Sequence, residues 1–228
     1  HAGFGLAGIG MLVGQIVFIW GQKYLVGVGD FVSTADKKAN QEPDKPLTKI
    51  EKDRIVVLLI SFVIVIMFWG AFEQAGGLMN LFTNSKTDLH IALINYTVPA
   101  GMFQSVNSFY IMILGTFVAG LWAKRALKGK ESSTLLKMGL GTIIMGIGFV
   151  FMSAASIEAG EAGKSSMTWL WLAYLFHTVG ELCISPTALS FITKLAPVKY
   201  ASLMMGVYFA ATGLGNKVAG LLGEAALS

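Results

Sequence analysis

The chain has 228 residues, of which 54% are hydrophobic and only 13% charged. That excludes an ordinary soluble domain, which carries roughly 25% charged residues, and the apolar residues gather in runs long enough, about 20 residues, to cross a bilayer. A net charge of +4 does not point to nucleic acid here, because the basic residues lie between the apolar runs, where they orient a membrane protein; the lone Cys183, inside such a run, excludes an intrachain disulfide and a cysteine-based metal site.

The first run, Gly3–Leu25, is rich in glycine and begins without an initiator Met or a signal-peptide pattern, so the chain is read as an internal piece of a longer membrane protein. Residues 1–27 then form one transmembrane helix and residues 28–53 a cytoplasmic linker. The linker's KKANQEPDKPLTKIEKDR stretch is polar, holds two prolines and has no apolar period. Within it, Thr48 and Glu51 have capping-box spacing, which predicts a helix from near Lys49 that runs directly into the second apolar run, Arg54–Phe82. The third to sixth runs are Ala100–Ala126, Ser133–Ile157, Met167–Ala196 and Tyr200–Leu222. Each predicts a spanning helix, which satisfies its own backbone hydrogen bonds in lipid. The expected fold class is therefore an all-α membrane protein with six transmembrane helices, five of them in residues 54–228.

Lys and Arg favour alternate connections: 26–53 holds Lys37, Lys38, Lys45, Lys49 and Lys52 beside a nearly equal set of acids, and 123–137 and 194–199 are basic, whereas 83–99 and 158–166 hold Lys86 and Lys164 as their only lysines or arginines. The basic connections are expected to face the cytoplasm. Glycine spacings (Gly10 and Gly14; Gly141, Gly146 and Gly148; Gly213, Gly215, Gly220 and Gly223) allow close helix contact, although glycine is common in transmembrane helices in any case.

Two acids stand inside spans, Glu73 in FWGAFEQAGG and Glu181 in HTVGELCISPTALS. A carboxylate at a bilayer centre costs about 2.5–3.5 kcal/mol on insertion scales, so such residues face a bundle interior or a wet cavity and mark ion or substrate pathways. A structural acid paired with a buried base is the alternative. Lys217 is the one cation well inside a span and is able to snorkel to the surface, so partners for both acids are expected outside this chain. His177, Glu181 and Ser185 are four residues apart and share a helix face. Pro186 frees the carbonyl of Leu182 and predicts a bend beside that face, as a midplane binding site requires. His177 reads either as a proton-relay group or as a hydrogen-bonded packing residue. In the third run Gln104, Asn107 and Tyr110 form a second polar stripe; amides both donate and accept, which suits peptide-like groups and interhelix contacts alike. Trp69, Tyr208 and Phe209 offer aromatic surface, for packing or for a pocket. No nucleophile–base arrangement, HExxH pair or phosphate-binding glycine loop is present, and no enzyme is expected.

GELCISPTALSFITKLAP resembles the tenth-helix signature of the proton-dependent oligopeptide transporters, a major-facilitator family. FWGAFEQAGG resembles that family's seventh helix, FQSVNSFY its eighth, MMGVYFAATGLGNKVAG its eleventh and GFGLAGIGMLVGQIVF its sixth. The resemblance implies the last helix of the N-terminal bundle and five helices of the C-terminal bundle, with the other N-terminal helices as partners. It implies a symporter in the cell membrane, a bacterial inner membrane, that imports di- and tripeptides with protons by alternating access and needs no other cofactor. Glu181 would couple protons near the peptide amino terminus with Ser185 beside it, and Glu73 would pair with basic residues of the N-terminal bundle. Asn107 and Gln104 would contact substrate, and Trp69, Tyr208 and Phe209 would line the pocket. Ser108 and Gly115 stand where the family commonly has proline, which implies a straighter helix. The alternatives are transport of nitrate or another small anion on the same scaffold, and a non-transporting receptor or scaffold.

Overall fold

The computed structural model describes residues 2–24, 46–130 and 132–226. The chain divides into two units, His1–Leu47 and Thr48–Ser228. In the first, helix α1 covers Ala2–Gly21 and ends in a 3-10 turn, Gln22–Tyr24. Most of the expected linker, 28–45, lies outside the described residues, as does Leu25.

The second unit is a bundle of helices α2 (Lys49–Phe72), α3 (Leu78–Lys86), α4 (Gln104–Leu127), α5 (Thr134–Ala162), α6 (Thr168–Leu195) and α7 (Ala201–Ala225). Helix α2 starts where the capping-box spacing places it. The Thr48 hydroxyl accepts from the Glu51 N–H at 3.3 Å, and a Glu51 carboxylate oxygen accepts from the Thr48 N–H at 2.8 Å. Two donors of the first turn are thereby satisfied. Thr48→Ala is expected to cost about 1 kcal/mol of stability, read as a lower unfolding midpoint in detergent; an unchanged midpoint would show that the cap is dispensable.

The second apolar run is not one uninterrupted helix. After Phe72 the chain tightens into a 3-10 turn, Glu73–Ala75, passes Gly76 and Gly77, and resumes as α3. Two causes act together. The paired glycines lose more freedom than other residues on entering a helix. The buried Gln74 amide donates to the Gly70 carbonyl at 3.2 Å and to the Ala219 carbonyl of α7 at 3.1 Å, which pins the break to the neighbouring helix.

Four stretches are long and apolar enough to cross a membrane among the described residues, Lys49–Lys86, Ala100–Leu127, Thr134–Ala162 and Thr168–Leu195. Helix α7 carries Asn216, Lys217 and Glu224 in its second half, which lowers its hydropathy. Short strands close the loops: β1 (Thr87–Asp88) runs parallel to β4 (Ser165–Ser166), and β2 (His90–Ile91) antiparallel to β3 (Tyr96–Thr97).

Packing is closest between α5 and α6, then between α2 and α7, with α4 against α6. Small residues set these distances. A Cβ on Gly180 would lie 2.6 Å from the Gly141 carbonyl oxygen, and one on Gly141 would lie 2.8 Å from that of Gly180. A Cβ on Gly215 of α7 would lie 2.8 Å from Trp69 Cβ on α2. The main core gathers Phe62, Val65 and Phe68 of α2, Met145 of α5, Ile184 and Ile192 of α6, and Met204 and Tyr208 of α7. A second core holds Met79, Phe103, Val106, Leu170, Ala173 and Tyr174. Large apolar residues such as Met67, Met112, Phe117, Ile143 and Val150 remain exposed on the outside. A surface of that kind is stable against lipid or further helices, not water.

Candidate functional site

The site lies where α4 meets α6 beside the α2–α3 break. Helix α6 continues through Pro186. Its 3.6-residue period brings His177 and Glu181, and Ser185 after them, to one face, and α4 likewise turns Gln104 and Asn107 to one side. The central contact joins these faces. Asn107 Nδ2 donates to a Glu181 carboxylate oxygen at 2.9 Å and to Thr178 Oγ1 at 3.2 Å. Thr178 is fully buried, and its hydroxyl donates to the Tyr174 carbonyl at 2.7 Å, so its lone pairs are left to receive Asn107. A hydrogen bond to a charged group contributes about 1.5–3 kcal/mol, enough to hold the half-buried Glu181 carboxylate in a fixed position.

Around this contact, polar side chains tie the walls together. Tyr110 donates to the Trp171 carbonyl at 3.3 Å across α4 and α6, and Tyr174 donates to the Ala75 carbonyl at 3.4 Å, which fastens α6 to the 3-10 turn. Beyond the Asn107–Glu181 pair opens a cleft of about 180 Å³ lined by Phe72, Glu73, Ala75, Gly76, Gln104, Asn107, Tyr174 and His177. Glu73 caps the end of α2 with its backbone N–H and leaves its carboxylate exposed on the cleft. Glu73 is near enough to Glu181 for the two charges to interact. Among the described residues neither carboxylate has an ion-pair partner.

The structure thus brings together Glu73, Gln104, Asn107, His177 and Glu181, with Ser185 half-buried one turn beyond Glu181 on α6. The three aromatics are not among the residues lining this cleft. Trp69 packs edge-on against Phe68 and Phe72, Tyr208 is 4% exposed in the main core against Phe62, and Phe209 is 62% exposed on the outside of α7. His177 is packed but not hydrogen-bonded: it is buried against Phe149 with neither ring nitrogen partnered. Helix α5 presents Gly148 and Phe149 to the ring, so that side offers it no polar side chain. Tyr174 and Thr178 were missed from sequence; they lie seven and three residues before Glu181, on its helix face, and that spacing was the available signal. Among the described residues no group of His, Cys, Asp and Glu is placed to hold a metal ion. What the arrangement offers is two carboxylates that accept from a cation or exchange a proton, and amides that both donate and accept.

A family model described as the POT family matches residues 30–226. The chain is 35% identical over 180 residues to "Peptide transporter YePEPT" of Yersinia enterocolitica subsp. palearctica, covering 78% of this chain and 35% of that protein. It is 31% identical over 169 residues to a "Di-/tripeptide transporter" of Lactococcus lactis subsp. lactis, covering 73% and 34%. The chain therefore spans about a third of the length of these curated relatives. Among solved structures, a peptide transporter POT in complex with sulfate superposes with a TM-score of 0.72 at 25% identity over 98% of this chain and 47% of its own. A mutant peptide transporter POT in complex with alafosfalin gives a TM-score of 0.76 at 24% identity, over 98% and 54%.

Proposed function

The chain belongs to the POT family, a family of multi-pass membrane proteins with a major-facilitator-type helical bundle, and from that premise we propose that it supplies the C-terminal bundle of a proton-coupled symporter importing di- and tripeptides by alternating access. The observation that carries this reading is the Asn107–Glu181 contact at the edge of a cleft. A half-buried carboxylate is held there by one amide, with Glu73 nearby and no cation beside either acid among the described residues. The amino terminus of a peptide is a cation that Glu181 would attract, and protonation of Glu181 would weaken that attraction and release the substrate. Glu73, exposed at the end of α2, would hold basic groups of the further helices in one state and let them go in the other. Ser185 lies one turn from Glu181, where it would add a hydroxyl to the same substrate group. Protons are the coupling ion, and no other cofactor enters the scheme.

The charge pattern supports an orientation. Lys49, Lys52 and Arg54 begin α2, Lys124 and Arg125 end α4, Lys137 lies in the first turn of α5, and Lys194 ends α6. In helices that alternate in direction these ends belong to one side, the cytoplasmic one.

The test is uptake by the full-length protein containing this chain, reconstituted in liposomes with the outside more acidic. Radiolabelled dialanine is expected to accumulate above its external concentration, to be lost on adding a protonophore, and to be competed by unlabelled tripeptide but not by nitrate. Uptake of nitrate with no uptake of peptide would transfer the reading to a small anion, and the absence of any uptake would leave a receptor or scaffold.

A further inference from the structure

Thr178 is fully buried, and its hydroxyl is engaged on two sides. Oγ1 donates to the Tyr174 carbonyl at 2.7 Å, a partner that can only accept. The one hydroxyl hydrogen is thereby used, and what Thr178 presents to α4 is a lone pair. Asn107 meets it with Nδ2 at 3.2 Å and directs the same nitrogen to a Glu181 carboxylate oxygen at 2.9 Å. An amide carries its donors and its acceptor on different atoms, so the Thr178 lone pair decides which end of Asn107 faces Glu181. The opposite orientation would set Oδ1 against that lone pair and against the carboxylate. Asn107 is the hydrogen-bond partner of the Glu181 carboxylate among the described residues. Charged groups near it are few. Glu73 at the α2–α3 break acts on Glu181 as a like charge. Helix α4 carries no charged residue before Lys124, α5 none between Lys137 and Glu158, and α6 none besides Glu181 before Lys194. The other titratable groups are Tyr110 on α4, Tyr174, His177 and Cys183 on α6, and on α7 the buried Tyr208 and the exposed Lys217.

We propose that Thr178 is a positioning residue for the proton-coupling step: it holds the Asn107 amide with its N–H end toward Glu181, whether or not that side chain carries a proton. The inference rests on the reading of Glu181 as the coupling group and names the residue that acts on it through Asn107. The consequence is a bias toward the carboxylate. An N–H facing an ionised oxygen makes a charge-assisted bond, the stronger kind. Protonation turns that bond into a neutral one and adds an O–H donor, which the N–H end cannot accept. With the Thr178 lone pair gone, the amide is free to turn, and its Oδ1 then accepts the new O–H. Thr178 therefore opposes protonation of Glu181 and keeps a negative oxygen ready for a substrate ammonium.

The test is a pH titration of the full-length protein in liposomes, without substrate, by infrared difference spectroscopy. The C=O stretch of protonated Glu181 is identified as the band that Glu181→Gln removes. Thr178→Val keeps the branched shape and removes the hydroxyl. It is expected to move the midpoint of that band up by about 0.5–1 pH unit, about three- to tenfold in proton affinity and the size of one hydrogen bond. The pH at which dialanine uptake is half-maximal is expected to rise with it. Thr178→Ser, which keeps the hydroxyl, is expected to titrate as the original protein does. In an Asn107→Ala background Thr178→Val is expected to move the midpoint no further, because Thr178 acts through the amide. An unmoved midpoint in Thr178→Val overturns the proposal, even where uptake falls alike at every pH, since that is the mark of a merely structural role. An equal shift in Thr178→Ser, a shift that persists in full without Asn107, or no titrating band in the original protein overturns it as well. A wild-type protein that takes up no dipeptide ends the transport reading alone, and the band still decides the role of Thr178.

Discussion

Full-length protein carrying Glu181→Gln is expected to lose gradient-driven dipeptide accumulation, down to the level of protein-free liposomes, while dipeptide exchange without a gradient persists. The reasoning follows from the contact itself. Gln preserves volume and an oxygen able to accept from Asn107 Nδ2, so the 2.9 Å link between α4 and α6 survives and the bundle stays folded. What Gln cannot do is gain or lose a proton, so a step that depends on switching charge at this position stops, whereas rearrangements that need no switch continue. Binding of the peptide ammonium also weakens, because the charge-assisted part of the interaction is gone; a loss of about 1 kcal/mol corresponds to about fivefold in affinity. Asn107→Ala provides the complementary control: it removes the donor and leaves the carboxylate able to titrate, so coupling is retained with weaker binding. Undiminished gradient-driven uptake in Glu181→Gln would remove Glu181 from the coupling step and leave it a purely structural acid.

The second large effect is expected at the α5–α6 seam. Gly180→Ala places a methyl 2.6 Å from the Gly141 carbonyl oxygen and 3.1 Å from Met145 Cβ, and backbone cannot swing aside as a flexible side chain can. The two helices must separate, with a cost of about 1–3 kcal/mol for overpacking and more for Gly180→Leu. The control lies on the same helix pair. Gly146 has nothing within 4 Å of its Cβ position, so Gly146→Ala is expected to be neutral or stabilising by about 0.5–1 kcal/mol through helix propensity. Differential scanning of the full-length protein in detergent reads the difference. Equal midpoints for the two variants would mean that the seam is looser than the close approach requires. The seam also matters for function, because α6 carries His177, Thr178 and Glu181 on its path across the bundle, and a separation from α5 moves all three relative to Asn107.

Much of the bundle was legible because hydropathy acts over whole turns. The runs at Ser133–Ile157 and Met167–Ala196 became α5 and α6 with ends displaced by a few residues, since any helix crossing lipid must keep its backbone bonded within itself. The Thr48–Glu51 cap was legible for the opposite reason: it is complete within four residues and needs no tertiary partner. The break after Phe72 was not, because it depends on Gln74 reaching Ala219, 145 positions away. The aromatic pair Tyr208 and Phe209 shows the same limit. Adjacent helical residues point about 100° apart, so one enters the core beside Phe62 and the other faces outward, and only the rotation of α7 against α2 decides which.

For the site, residue type identified the acids while position came from packing. That Glu73 and Glu181 are exceptional follows from composition, because a carboxylate in an apolar run is costly wherever it lies. That Asn107 meets both Glu181 and Thr178, that Glu73 and Asn107 line one cleft, and that His177 packs against Gly148 and Phe149 were decided by the approach of α4 to α6 and by the glycines that set α5 against α6. Sequence by itself determined the membrane setting, the helical runs and the chemistry on offer, all of which are local or additive along the chain. Tertiary structure alone decided which groups meet, because hydrogen bonds act over about 3 Å and their partners here lie more than seventy residues apart.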